Sequence, residues 1–394
     1  MIRPGLASRA REPVSTMSWI AIRMLTGDRV KFIGLLFGVA FSTLLITQQL
    51  TIFVNLLLRG AASVQEVSTA DVWVMDRSGR TSDVTLPMPA TALDRVRGVP
   101  GVLWAAPMIR AGATVRTPEG DLEPVSVIGV DDASLIGLPR TMVEGSREAL
   151  ADPDAVFIDD VGSRKLFEAG GAVGTRLELN DQRAVIRGIV DANPSFSSTV
   201  ILYTRYSNAL NYVPGSRNRL SFILVRAAPG RDAKAVAIEI ERITGLRART
   251  KDEFAGDGVD YIIENTGIPI NFGITVALGF VVGVAIVGLT FSLFIRDNIK
   301  QFGALKAIGV TNNKIRLMVA SQAGMVGLIG YGLGIILAVL FIAFGSSGSD
   351  AFKGFYTPWQ IPVITAVVVL VMILLTGLIA LRTVLKTEPA EVFR

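Results

Sequence analysis

Side chains able to do chemistry are sparse in this sequence, and two types are missing. The chain has no Cys and no His. That removes thiolate nucleophiles, disulfides, zinc–thiolate centres, Ser-His-Asp triads and H-E-x-x-H proteases. Ser195, Ser197 and Ser198 stand close together with no imidazole to activate them. The acid pairs Asp131-Asp132 and Asp159-Asp160 are the remaining candidates for acid–base work or Ca²⁺ binding. Both fall where a strand pattern ends, the usual place of turn and cap residues. No G-x-x-x-x-G-K-[ST] run occurs, so the chain carries no phosphate loop of that kind. The expectation is a non-catalytic chain with no metal or cofactor of its own.

The elements around these residues are dominated by hydrocarbon. Half of the 394 residues are hydrophobic and the mean hydropathy is +0.49. Four blocks, 32–58, 268–295, 317–344 and 361–381, contain no Lys, Arg, Asp or Glu. Each exceeds the ~18–20 residues that span a bilayer core as helix, so four transmembrane helices are expected. Charge orients them. Residues 1–31 carry six Lys/Arg against two acids, and 296–316 five against one, whereas 59–266 carry 24 against 28. Basic flanks stay inside, which places both termini (1–31 and 382–394) and the 296–316 loop in the cytoplasm. Segment 59–267 and the short 345–360 loop then face out. The basic residues flank spans instead of forming one patch, which argues against nucleic acid. Residues 1–16 lack periodicity, and Met17 opens the first patterned element, an interfacial amphipathic helix. A signal peptide is the competing reading, but the apolar run is long and no small-residue cleavage site follows.

The loop between the second and third spans has its own pattern. Ile299, Phe302, Leu305 and Ile308 recur every third residue among Lys300, Gln301, Lys306 and Lys314, and Gly309 stands where a helix would end. A short amphipathic helix pinned between two spans is expected, serving either as a solvated basic connector or as a docking surface. Three spans carry GxxxG patterns, Gly34/Gly38, Gly279/Gly283 and Gly330/Gly334, which let membrane helices approach closely. Gln48 and Gln49 lie in the first span, where an amide is costly unless paired. They read as packing between helices or as part of a substrate path.

Segment 59–267 is long enough for its own core. Strand alternation covers Asp71–Asp76, Val102–Thr117, Glu123–Val130, Ala155–Asp159, Ser221–Arg226 and Leu246–Thr250, with a hairpin of Thr175–Leu179 and Arg183–Val190 around Asn180-Asp181. Helices are expected at Thr91–Val99, Val161–Glu168 and Asp232–Thr244. A turn at Pro118-Glu119-Gly120 and an exposed-Phe loop over Asp191–Ser198 complete the pattern.

Three stretches resemble one family. Phe302-Gly-Ala-Leu-Lys-Ala-Ile-Gly309 resembles the coupling loop of FtsX-like (MacB-type) permeases of ABC transporters. Met17-Ser-Trp-Ile-Ala-Ile-Arg-Met-Leu25 is similar to the family's N-terminal helix. Glu388-Pro-Ala-Glu-Val-Phe-Arg394, after a basic stretch, resembles its closing pattern. The strand and helix order of 60–267 resembles the family's MacB-like periplasmic core domain, and the Gln-bearing first span looks like the DevC branch. The resemblance implies an α-helical membrane protein with four transmembrane helices plus an α+β extracytoplasmic domain, in a bacterial inner membrane. It implies a permease homodimer moved by a cytosolic ABC ATPase dimer that binds the ATP and Mg, with membrane lipids around it. A periplasmic adaptor and an outer-membrane duct are further partners of such systems, and the cargo is an amphiphile. In that reading Phe302 and Leu305 would be the anchors buried against the ATPase, with Lys300 and Lys306 at the rim and Gly303 at the closest approach. An FtsX-type regulator of a cell-wall hydrolase and a membrane-anchored sensor are the alternatives. A neighbouring adaptor gene would favour export, and failure to co-purify an ATPase would favour the sensor.

Overall fold

The computed structural model describes residues 14–117, 120–167, 172–193, 200–213, 215 and 219–386. Residues 1–13 of the patternless N-terminal stretch, the Pro118-Glu119 turn, Ser195 to Ser198 and the Glu388–Arg394 motif lie outside the described residues; the first helix opens at Val14, three residues before the Met17 start expected from the pattern. The first half contains α1 (Val14–Gly27), α2 (Arg29–Glu66), β1 (Val72–Met75), β2 (Met88–Pro89), α3 (Ala92–Arg97), β3 (Val102–Arg116), β4 (Leu122–Val130) and β5 (Met142–Glu144). Next come β6 (Ala155–Asp159), α4 (Asp160–Leu166), β7 (Arg176–Leu179), β8 (Gln182–Val190), β9 (Ile201–Arg205), α5 (Tyr206–Tyr212), β10 (Arg219–Leu220) and β11 (Phe222–Ala227). The chain then forms α6 (Ala233–Thr244), β12 (Arg247–Thr250), α7 (Lys251–Asn265), α8 (Ile268–Asp297), α9 (Ile299–Ala307), α10 (Asn312–Gly348) and α11 (Gln360–Lys386).

Contacts divide the chain into two units, one of residues 1–52, 270–344 and 356–394 and one of 53–269 and 345–355. The helices α2, α8, α10 and α11 are long and apolar enough to cross a membrane. Two run well past their apolar blocks. At 38 residues, α2 measures about 57 Å and continues beyond Leu58 to Glu66, burying Ala61 and Val64 among ectodomain residues. At 37 residues, α10 starts at Asn312, inside the expected loop. The helical unit has a buried seam that includes Leu35, Val39, Phe291, Phe294, Met318 and Met372. Leu289, Leu328, Val363, Leu370 and Leu374 remain exposed on its outside, as lipid-facing side chains must be. The α1–α2 break falls at Asp28, whose carboxylate accepts from Lys31 N (3.2 Å) as an N-cap does.

The second unit is built on a sheet in the order β12-β1-β11-β3-β4-β9-β6-β8-β5, with β7 bridging β3 and β8. One strand holds the two halves together: β3 pairs β11 through Val102–Met108 and β4 through Ile109–Arg116. The pairs β4–β9 and β6–β8 are parallel. The β7–β8 hairpin turns at Asn180 and Asp181, both at positive φ (47° and 63°), as a two-residue primed turn requires. β1 departs from the half-exposed strand that its alternation predicts, because all four residues are buried. Val72 and Val74 face α6 through Val236 and Ile240. Trp73 and Met75 face α7, where Trp73, Phe222 and Phe254 stack within 5.3–5.8 Å of one another.

Candidate coupling site

The short helix α9 is closed at its C-terminus by a Schellman motif. Gly309 takes φ +96°, its N–H donates to Lys306 O, and Val310 N–H donates to Leu305 O, both at 3.0 Å. At the other end the Asn298 side chain donates back to Phe294 O (2.8 Å). The helix is therefore a separate, capped segment between α8 and α10.

Its inner and outer faces correct the sequence expectation. Phe302 is 1% exposed and belongs to the helical unit's own buried cluster, with Leu25 of α1, Phe294 and Ile295 of α8, and Ile315 and Met318 of α10. Gly303 is buried too, and Leu305 packs half-buried against the same cluster. Phe302 is thus an internal anchor of the helical unit, whereas Leu305 is half-buried beside it. The reason is helical geometry. A three-residue spacing slips by about 60° per step on a 3.6-residue helix, so the apolar stripe winds around the axis. Ile299 remains half-buried, while Ile308 emerges on the outside at 81% exposure. Lys300, Gln301 and Gly309 are exposed beside it and Lys306 is half-buried. The exposed residues of α9 and its C-terminal cap are therefore Lys300, Gln301, Ala307, Ile308 and Gly309.

Beneath α9 the helices meet at glycines. A Cβ built on Gly38 would stand 2.8 Å from Ile286 Cγ2, and one on Gly283 would stand 2.5 Å from Met372 Sδ and overlap Ser42. On α10, a Cβ on Gly330 would meet Val39 Cβ at 2.6 Å, and one on Gly334 would meet Ala40 O at 2.6 Å. Gly34 and Gly279 face Thr290 and Ile46 at 3.5 Å, an ordinary contact. These glycines serve crossings within a single chain. The span amides are placed otherwise than the sequence suggests. Gln48 and Gln49 are half-buried and take no hydrogen-bond partner among the described residues. Buried amides are instead Asn55 of α2 and Gln322 of α10; Gln322 Nε2 donates to Ala21 O (2.8 Å), and Thr47 bonds Thr365 across α2 and α11 (3.2 Å). The polar run Thr43, Thr47, Thr51, Asn55 at four-residue spacing was the available signal for that face of α2.

In the ectodomain the acid pairs are taken up by turn, cap and long-range contacts. Asp131 accepts from Ser134 N (2.9 Å) and Asp132 from Ser207 N (3.0 Å). Asp159 caps α4 at Gly162 N (3.0 Å) and also accepts from Ile201 N (2.7 Å). Burial pushes its carboxyl up to about 6 against those two hydrogen bonds. Sequence reasoning missed β9, α5 and α7. For α7 the signal was present, because Thr250 and Glu253 form a capping box.

Four apolar helices, a short helix wedged between two of them and an α+β ectodomain after the first define the permease class of membrane protein. The FtsX-like permease C-terminal model matches residues 273–389, and the MacB-like periplasmic core domain model matches residues 32–243, over half of the chain. The chain belongs to the FtsX-like, MacB-type family of ABC transporter permeases. A probable export ATP-binding/permease protein MacB of Pseudomonas entomophila is 24% identical over 67% of this chain and 42% of its own length. An uncharacterized ABC transporter permease of Mycobacterium tuberculosis is 27% identical over 68% of this chain and 70% of its own. The chain spans about half the length of the first curated relatives it matches. Among solved structures, the periplasmic region of MacB from Actinobacillus actinomycetemcomitans shares 15% identity at a TM-score of 0.38, covering 52% of this chain and 96% of that one.

Proposed function

We propose that this chain is the permease subunit of an ABC export system, working as a homodimer with two copies of a separate cytosolic ATPase. ATP and Mg are bound by that partner. Its motion enters at α9, passes along the long helices and reaches the ectodomain, which extrudes or hands over an amphiphilic substrate to an adaptor and duct. Both termini and α9 lie on the cytoplasmic side of the inner membrane. The observation that carries the reading is the two-faced α9. Its inner face is locked into the helical core through Phe302 and Gly303, while Ile308 and Lys300 project outward. A helix held this way can pass on a push without deforming, which a loose basic connector cannot do. An apolar anchor in a small interface is worth ~2 kcal/mol, about 30-fold in affinity. Ile308→Asp should therefore remove the ATPase from the purified complex while leaving the permease folded, and Lys300→Ala should chiefly slow association. Undiminished ATPase capture by Ile308→Asp would sink the proposal.

A further inference from the structure

The loop joining α10 to α11 is built into the ectodomain's own fold, since residues 345–355 belong to the second unit. Sequence patterning marks it only as a short connector, yet it carries a dense set of polar contacts. Lys353 Nζ donates to the carboxylates of Asp160, at the start of α4, and Asp191, just after β8 (2.9 Å to Asp191), and to Ala192 O (3.0 Å). Arg164 of α4 holds Asp350 Oδ1 through Nε and Nη2 (3.0 and 2.9 Å) and reaches Asp160 Oδ2 through Nη1 (3.1 Å). From the tail of α2, Arg59 donates to Ala351 O (2.8 Å) and Lys353 O (3.2 Å), and its guanidinium lies 4.5 Å over the Phe355 ring. Burial opposes the Lys353 ammonium, but its hydrogen bonds to Asp160 and Asp191 overcome that and hold its pKa above the ordinary lysine value.

We propose that residues 345–355 are an ionic clasp, centred on Lys353, that fastens the α10–α11 connection to α4, the end of β8 and the tail of α2. The chain passes between the two units within α2, after α7, and on both sides of residues 345–355; at the last of these the clasp adds charged side-chain contacts to the continuous chain. The α7 attachment is seated on an aromatic cluster, Trp73, Phe222 and Phe254, whose energy needs no exact angle. The clasp is directional and charged, so it resists displacement of α4 until its ion pairs part. Isolated surface pairs contribute little, but here one half-buried carboxylate, Asp160, is shared by Lys353 and Arg164, which couples the pairs. Its role in carrying load rests on the ATP-driven reading above, and the clasp itself does not.

The test uses the full chain in lipid nanodiscs and reads amide hydrogen exchange. Lys353→Gln and Asp160→Asn should each speed exchange over residues 349–356 by about tenfold or more, and Lys353→Arg should stay near the wild type. The double variant Lys353→Gln/Asp160→Asn should fall clearly short of the sum of the two single effects, because both remove the Lys353–Asp160 pair while each also loses a contact of its own, to Asp191 or to Arg164. Unchanged exchange in both single variants, or strictly additive effects, would overturn the clasp. Load is read with the bound ATPase. If ATP alters exchange in α4 equally in the wild type and in Lys353→Gln, the clasp transmits nothing and the proposal fails on that point. If ATP changes nothing in the wild type, the reading under Proposed function fails, and the clasp is decided by the exchange result alone.

Discussion

Glycine substitutions along α10 form a graded experiment in which one chemical change meets different surroundings. At Gly334 a new Cβ would lie 2.6 Å from Ala40 O and overlap Thr43, so backbone of α2 must move. At Gly330 it would lie 2.6 Å from Val39 Cβ, again close to the root of a side chain. At Gly327 it would overlap only Ile373 Cδ1, the flexible end of a side chain, and at Gly332 it meets nothing within 4 Å. Replacing Gly by Ala inside a helix contributes ~1 kcal/mol from propensity, while forcing atoms into a packed seam costs ~1–3 kcal/mol. Gly332→Ala should therefore stabilise the helical unit by up to about 1 kcal/mol. Gly334→Ala and Gly330→Ala should destabilise it by roughly 1–2 kcal/mol net, with Gly327→Ala near neutral. Unfolding of the full chain in mixed micelles with rising SDS, followed by circular dichroism, measures the series. Equal midpoints for Gly332→Ala and Gly334→Ala would refute the close α2–α10 crossing and the argument built on it.

Three further outcomes are expected. Phe302→Ala should lower the stability of the helical unit by about 3–5 kcal/mol, as for other buried Phe truncations, and Phe302→Leu should recover most of it; a wild-type midpoint for Phe302→Ala would contradict the inward placement of that ring. Asp159 titrates at about 6 against an ordinary 3.8, so the folded protein holds this proton more tightly than the unfolded chain does. Its contribution is complete below the ordinary value and is lost as pH rises through about 6, a change of roughly 3 kcal/mol. Asp159→Asn should flatten that part of the stability profile, and an unchanged slope between pH 4 and 7 would show that another group titrates there. For orientation, cysteines placed singly at Leu122 and Asn312 in this Cys-free chain should label oppositely with an impermeant maleimide on intact spheroplasts. Labelling of Asn312→Cys but not Leu122→Cys would invert the topology.

Much of the architecture follows from one-dimensional patterns. A charge-free apolar run of over twenty residues has no alternative to a membrane helix, because water-exposed hydrocarbon and unpaired backbone are both too costly. The α6 helix could be placed from Asp232 at its start and Gly245 after its end, and both serve those roles. Asn180-Asp181 marked its hairpin for a similarly local reason. Each of these signals concerns neighbours in sequence, where covalent geometry and solvent decide. Direction and partnership were not legible in the same way. Periodicity showed that α9 had an apolar stripe, but whether Phe302 turned toward its own bundle or toward a partner depended on Leu25, Phe294 and Met318, which arrive from three other helices. GxxxG predicted a close approach without saying that Gly334 would meet Ala40. Lys353 stood in an unremarkable loop until folding brought Asp160 and Asp191 to it across more than 160 residues of chain. Side-chain type and spacing determine which surfaces must be buried, paired or solvated. Only the tertiary structure decides against what, because burial and ion pairing are short-ranged and their partners are set by the whole chain's packing.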